Sequence, residues 1–392
     1  MVNCQLTIFF NFAVGLKLLD MRKLCFVLMG LFLLVGSFNE SYAQFNRKAI
    51  KKNNKNLASF RGKKSGFGRQ NVYSGVGFSL NAMNYFGDLA PTPSAFSTDI
   101  SFTRPGFGIS LFHRFGPRYT LQVQYMYGAL KGSDAESAPK LSSDDPYRGL
   151  RNASFRNRIH ELSAVAYFDL FDNQSTYISR VKWTPYFFVG AALFYHNPQA
   201  QAPATFLDGT ANPYAGQWVD LQPLGTEGQY ATLAPSDANY EIKPYSNLQF
   251  AIPFGIGARF RLNEVFDLWA DLGFRYTFTD YLDDVSQNYV DLGKIKAENG
   301  DPTLTKLAQA LSYRTNELYT PQQIADDLLN FGNFGSYVGA DGNTYVTRKG
   351  FGSERPYPDN IRGNKKNNDI YMVTSIRLTY ILGATFHKAK FR

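Results

Sequence analysis

The chain has 392 residues, room for one large domain or two ordinary ones, and it is rich in aromatics (16%) and glycine (33) while its mean hydropathy is slightly polar at −0.28. Strands with one face in lipid and the other in water have this composition. Both cysteines, Cys4 and Cys25, fall within the first 25 residues; if that region is removed, disulfide, zinc-thiolate and Cys-nucleophile chemistry are excluded.

The N-terminus reads as a signal region over 1–43. Met21-Arg22-Lys23 makes a positive n-region, and Leu24–Gly36 is a 13-residue apolar stretch, too short to span a bilayer. Ser41-Tyr42-Ala43 predicts cleavage before Gln44. The unit is complete from Met21, which suggests that translation starts there; the alternative is a membrane anchor built from two apolar stretches. No later run of 18 apolar residues offers a helical span.

A basic linker over 44–70 follows. It carries nine cations (Arg47, Lys48, Lys51, Lys52, Lys55, Arg61, Lys63, Lys64 and Arg69) and no acid. The formal charge of +9 therefore reports this tail, and the rest of the mature chain is close to neutral.

From residue 71 the apolar period is two, which marks strands. In Arg118–Tyr127, for example, Tyr119, Leu121, Val123, Tyr125 and Tyr127 share one face, and Thr120, Gln122, Gln124 and Met126 the other. The same alternation predicts strands at Asn71–Leu80, Gly106–Phe115, Arg158–Leu170, Thr184–Tyr195, Phe250–Phe260, Phe266–Phe278 and Ile370–Leu382. Short links (at Gly116-Pro117, around 171–183 and at 262–265) alternate with long ones (around 81–105, 128–157, 196–247 and 279–369). Transmembrane barrels alternate in this way, with tight periplasmic turns and long outer loops.

The expected fold is thus all-β: an eight-stranded antiparallel up-and-down transmembrane β-barrel over 71–386, with a helical loop insertion at 296–349 and a short basic tail at 387–392. Arg114, Glu161, Arg259, Arg261, Asp267, Asp271, Arg275 and Arg377 fall on the polar parity. An eight-stranded barrel is just wide enough for side chains to fill it, so these charges are expected to pair across the interior as a plug. The sharper alternatives are a catalytic Asp267–Asp271 pair and a conducting pore. By parity alone Leu121 faces lipid and rejects Arg, whereas Gln122 faces inward and tolerates it better unless the longer side chain clashes.

In the last loop, Pro302–Leu311 and Pro321–Leu329 have helical character, with Thr320 as N-cap and Ile324, Leu328 and Leu329 as an apolar stripe for packing on the barrel mouth. Gly339–Thr347 reads as a hairpin turn, and the remaining acidic ligands of a calcium loop are missing from it. Asp280, Asp283 and Asp284 are the one carboxylate cluster worth testing for a cation, although scaffolding of the loop is the plainer role.

Five strings and a closing set are more specific than alternation: Asn84-Tyr85-Phe86-Gly87-Asp88-Leu89; Arg151–Asn157 followed by Glu161-Leu162; Asp220–Gly228; Ile252–Gly257; Thr277–Ser286; and Arg362-Gly363-Asn364 to Asn368-Asp369. Together, over about Tyr73–Tyr380, they resemble a Bacteroidota family of eight-stranded outer-membrane barrels, one member of which is the barrel subunit of the type IX secretion machinery. The resemblance implies a non-enzymatic structural role in a protein secretion or gliding complex. It carries no catalytic, cofactor-binding or metal residues.

The partners expected are outer-membrane lipid and, through the basic tail 45–70, periplasmic secretion-complex proteins or lipoproteins. No nucleic acid and no small-molecule substrate are indicated. The alternatives are a surface receptor or adhesin using the long loops and an outer-membrane lipid-modifying enzyme. The enzyme reading needs a Ser-His-acid set. Among His113, His160, His196 and His387, only His196 lies at a strand top near loop acids, and an ordinary interfacial residue is its plainer role.

Overall fold

The computed structural model describes residues 72–90, 102–137, 146–172, 180–330, 332–349 and 360–382. The signal region, the basic linker, the C-terminal tail and His387 lie outside the described residues.

Eight long strands close into one antiparallel barrel. In chain order they are β1 (Tyr73–Phe86), β2 (Arg104–Arg114), β3 (Tyr119–Ser133), β4 (Ser154–Asp169), β5 (Trp183–Gln201), β7 (Leu248–Arg261), β8 (Phe266–Thr277) and β11 (Ile370–Ile381). A three-residue strand, β6 (Trp218–Asp220), pairs with the end of β5. Each long strand pairs with its sequence neighbour, and β11 returns to β1 from Gly75↔Ile381 to Phe86↔Ile370, which leaves no open edge.

The alternating parity sorts the side chains. Leu80, Ile109, Leu111, Ile256 and Ile376 point outward, 58–63% exposed. Gln122, Glu161 and Trp269 point inward and are fully buried. A continuous apolar outer wall of this extent has no place in water, and the barrel is membrane-spanning. Gly255 and Gly273 pair across β7 and β8, and a Cβ on Gly273 would come within 2.6 Å of the Phe188 ring. The two glycines thus make room for an aromatic inside the wall.

Several strands outrun their expected ends: β1 continues to Phe86, β3 to Ser133 and β5 to Gln201, and β4 begins at Ser154. The physical reason is that the ladder continues after the lipid stops. Above the apolar band the outward face carries Lys131, Arg156, Arg158, Asn197 and Gln199, so hydrophobic alternation ends although backbone pairing does not.

The β7–β8 turn is tight, with Asn263 Oδ1 accepting from the backbone N–H groups of Val265 (2.9 Å) and Phe266 (2.8 Å). At the opposite end the long connections carry α1 (Asp134–Ser137), α2 (Pro146–Arg151), α3 (Pro302–Ser312), α4 (Pro321–Asn330) and the hairpin β9 (Phe334–Val338)–β10 (Thr344–Arg348). They form a cap with its own apolar core, in which Ala200, Phe206, Leu221 and Leu224 meet Leu292, Leu307, Leu311 and Tyr345. The cap is therefore built from several long loops, not from the 296–349 insertion alone.

Both expected helices form. Thr320 and Gln323 cap α4 reciprocally, at 3.2 and 2.8 Å. The packing of α4 differs from expectation: it buries no residue, Leu329 is 83% exposed, and α3 supplies the packed face instead.

Candidate functional site

The interior of the barrel is a stack of charge pairs. Nearest the short turns, Asp169 forms ion pairs with Arg114 (2.7 Å) and Arg259 (2.5 Å), and Arg180 reaches Asp267 at 2.7 Å. In the middle, Arg377 bonds Asp271 at 2.8 Å and donates to Gln122, with Tyr167 and Trp269 against its guanidinium. Above them Glu161 faces Arg275 at 3.3 Å and accepts from the Tyr371 hydroxyl at 2.7 Å. The cavity beside Asn81, Gln124, Asp271 and Arg377 measures about 10 Å³, room for roughly one water.

Seven of the eight charges expected inside take part in this plug. Arg261 does not: it sits at the turn rim, bonded to the carbonyls of Arg180 and Asn263. Asp169 lay on the same polar parity, whereas Arg180 comes from a link and carried no periodic signal. Asp267 and Asp271 each hold a different arginine and do not face one another as an acid–base pair.

Over the plug lies an apolar layer of Met83, Met126, Leu130, Ile159, Phe194 and Val373. Above it the sequence strings singled out earlier interlock. Arg151 grips Asp134 through two bonds (2.7 and 2.8 Å) and donates to the carbonyls of Asp88 (2.8 Å) and Arg362 (2.7 Å). Arg362 in turn donates to Glu227 at 2.8 Å and to the Asp284 carbonyl at 2.6 Å. Glu227 also accepts from the backbone of Ser286 (2.9 Å) and Gln287 (3.1 Å). Segments far apart in the chain thus become one hydrogen-bonded knot across the mouth.

Two of the three aspartates of the candidate cation cluster take separate partners. Asp283 accepts from the Tyr85 hydroxyl at 2.7 Å, and Asp284 accepts from Thr226 (2.5 Å) and Tyr245 (2.8 Å). Among the described residues no group of three His, Cys, Asp or Glu side chains is placed to hold a metal. Asp369 joins Asp283 on the Tyr85 hydroxyl at 2.8 Å. One hydroxyl has one proton to donate, so the second carboxyl at this oxygen is satisfied only by carrying a proton itself. Burial acts in the same direction, pushing Asp283 and Asp369 well above the usual carboxylate range, Asp280 up to about 9 and Asp284 up to about 6.

His196 is not an interfacial loop residue. It is a fully buried part of β5, stacked on Tyr245 at 6.0 Å with Asn157 at 3.4 Å. In the hairpin, Asp341 accepts from Asn343 and from the Tyr345 hydroxyl (2.7 Å), so its carboxylate closes the turn.

The geometry defines a membrane-spanning β-barrel, sealed by side chains and covered at one end by folded loops. Over residues 67–210 the chain matches the family described as a domain of unknown function (DUF6089), a span that includes β1–β5. No curated protein matches it. Among solved structures it is similar to Ail, the attachment invasion locus protein of Yersinia pestis, in complex with the heparin analogue sucrose octasulfate (7% identity, 79% of this chain and 98% of that one, TM-score 0.28). It is also similar to Neisserial surface protein A (10% identity, 79% and 96%, TM-score 0.27) and to the N-terminal β-barrel domain of Pseudomonas aeruginosa OprF (11% identity, 53% and 87%, TM-score 0.24).

Proposed function

We propose that this chain is an outer-membrane barrel that serves as a structural, non-enzymatic component of a type IX protein secretion or gliding complex. The sealed interior is the observation that carries this reading. Paired arginines and carboxylates fill the lumen from the short turns to the mouth, so the barrel offers a rigid anchor in place of a conduit. In this reading the signal region exports the chain, the long loops face outward, and the turns and the basic tail 45–70 face the periplasm. There the nine cations of the tail suit an acidic surface on a periplasmic partner or lipoprotein.

Crosslinking in native membranes, followed by identification of what is attached, tests the proposal. Replacing Lys51, Lys52, Lys55, Lys63 and Lys64 with Gln is expected to leave barrel assembly intact and to reduce partner recovery. Unchanged recovery and full secretion at low salt would remove the tail from the mechanism and shift the search to the turn around Asp172–Arg180.

A second reading, a surface receptor or adhesin, is favoured by the cap's own core and by its exposed apolar residues Leu329 and Val338. Recovery of the chain with an extracellular ligand and without periplasmic components would support it.

A further inference from the structure

The outward wall of β3 and β4 changes character abruptly. Up to the level of Tyr127↔His160 it is apolar and aromatic. Tyr125, exposed to 40%, holds His160 at 2.8 Å, and Tyr195 lies across from His160 on β5. Such rings mark the level where hydrocarbon gives way to headgroups. The next outward-facing pairs are Ala129↔Arg158 and Lys131↔Arg156. They lie roughly 7 and 14 Å further along the tilted strands, at about 3.4 Å per residue.

Three cations therefore occupy adjacent outward positions just above the aromatic belt. Two acids are near. Glu136 takes Lys131 at 2.5 Å, and Asp220 accepts from the Gln199 amide at 2.6 Å. Arg156 is held in place by Gln199 at 2.9 Å and by the Trp218 ring at 4.0 Å. Arg158 is exposed, with no hydrogen bond or ion pair to another described residue. Two neighbouring guanidinium groups on one face repel unless an anion lies between them. A guanidinium presents a planar fork of donors that fits phosphate oxygens.

We propose that Arg156 and Arg158, with Lys131 at their edge, form a docking surface for the phosphorylated headgroup of an outer-leaflet glycolipid whose acyl chains continue down the apolar wall. Charge complementarity and continuity with the lipid-facing belt select this occupant. The inference rests on the outer-membrane reading above.

The test uses the full chain, purified in detergent and offered bis-phosphorylated lipid A, its dephosphorylated form and phosphatidylcholine, with retained lipid counted by native mass spectrometry. The unmodified protein is expected to retain bis-phosphorylated lipid A about tenfold better than the other two, as loss of a charge-assisted contact implies. The double variant Arg156→Gln, Arg158→Gln should lose that preference, while Lys306→Gln in the cap should keep it. A heat-dependent shift in gel mobility reports folding of each variant. Equal retention of the phosphorylated and dephosphorylated lipids by the unmodified protein overturns the proposal whatever the variants do. So does displacement of lipid A by millimolar inorganic phosphate, which would mark a plain anion site. Orientation and secretion partners are read separately, by surface labelling and crosslinking, so failure of the lipid assay leaves the proposed function standing, absence of secretion partners leaves the lipid surface standing, and only an inverted barrel removes both.

Discussion

Arg377 enters the lumen from β11 and finds Asp271 on β8, one strand away. Replacing it with Met would leave the Asp271 carboxylate buried without its cation, a loss of about 3–5 kcal/mol. Urea unfolding in detergent should show it as a lowered midpoint with an unchanged slope. The environment of Gln122 also revises the tolerance expected from parity. Gln122 accepts from Arg377 and is fully buried, so Gln122→Arg would set two guanidinium groups against each other inside the wall. At the mouth, Asp280, Asp283, Asp284 and Asp369 are all held above their ordinary range by burial. The folded chain therefore keeps protons that an unfolded chain has released. The stability this confers is full below about pH 4 and is lost as pH rises through the folded values, between about 6 and about 9 for Asp284 and Asp280. Protection of 279–286 from hydrogen exchange, corrected for intrinsic rate, should be greater at pH 5 than at pH 9. Asp369→Asn should shrink that difference, and a difference of unchanged size would remove the shared proton from the account.

Single strands carry two chemistries along their length, and substitutions should separate them. Ile256 lies midway along the outward face of β7, 60% exposed. Ile256→Arg is expected to cost about 2–4 kcal/mol in lipid, the penalty for a charge near the midplane. Gln201→Arg, at the long-loop end of β5, should stay within about 0.5 kcal/mol, because that position is past the apolar band. Folding yields in lipid vesicles compare the two; equal losses would place the membrane boundary higher than the aromatic belt. The two cap helices show why an amphipathic pattern alone does not fix packing. In α3, Leu307 and Leu311 meet the residues of two loops, whereas in α4 Ile324 is half-buried and Leu328 and Leu329 stay exposed.

For the whole molecule, closure and plugging have consequences for topology and permeability. In the proposed orientation, Gln322→Cys on the exposed α4 should react with an impermeant maleimide on intact cells, while Glu264→Cys in the β7–β8 turn should react only after permeabilisation. Labelling of Glu264→Cys from outside would invert the barrel. Purified protein in a planar bilayer should pass no measurable ion current, since the cavity beside Arg377 admits about one water. Stable conductance steps would contradict the plug.

By itself the sequence determined the strands, their number and their facing, because lipid on one side and a filled lumen on the other impose a period of two on each wall segment. It also determined the alternation of short and long links, both cap helices and the inward position of Arg114, Glu161, Asp271, Arg275 and Arg377. Only the tertiary structure decided which charges meet, since partners such as Arg377 and Asp271 are 106 residues apart in the chain. It also brought Arg180 in from a link, buried His196, and gave Asp283 to Tyr85 and Asp284 to Thr226 and Tyr245. Periodicity reports the side of a wall on which a residue lies. Closing the wall into a barrel sets what stands opposite, and the knot of Asp88, Asp134, Arg151, Glu227 and Arg362 exists only once the loops have been carried across the mouth.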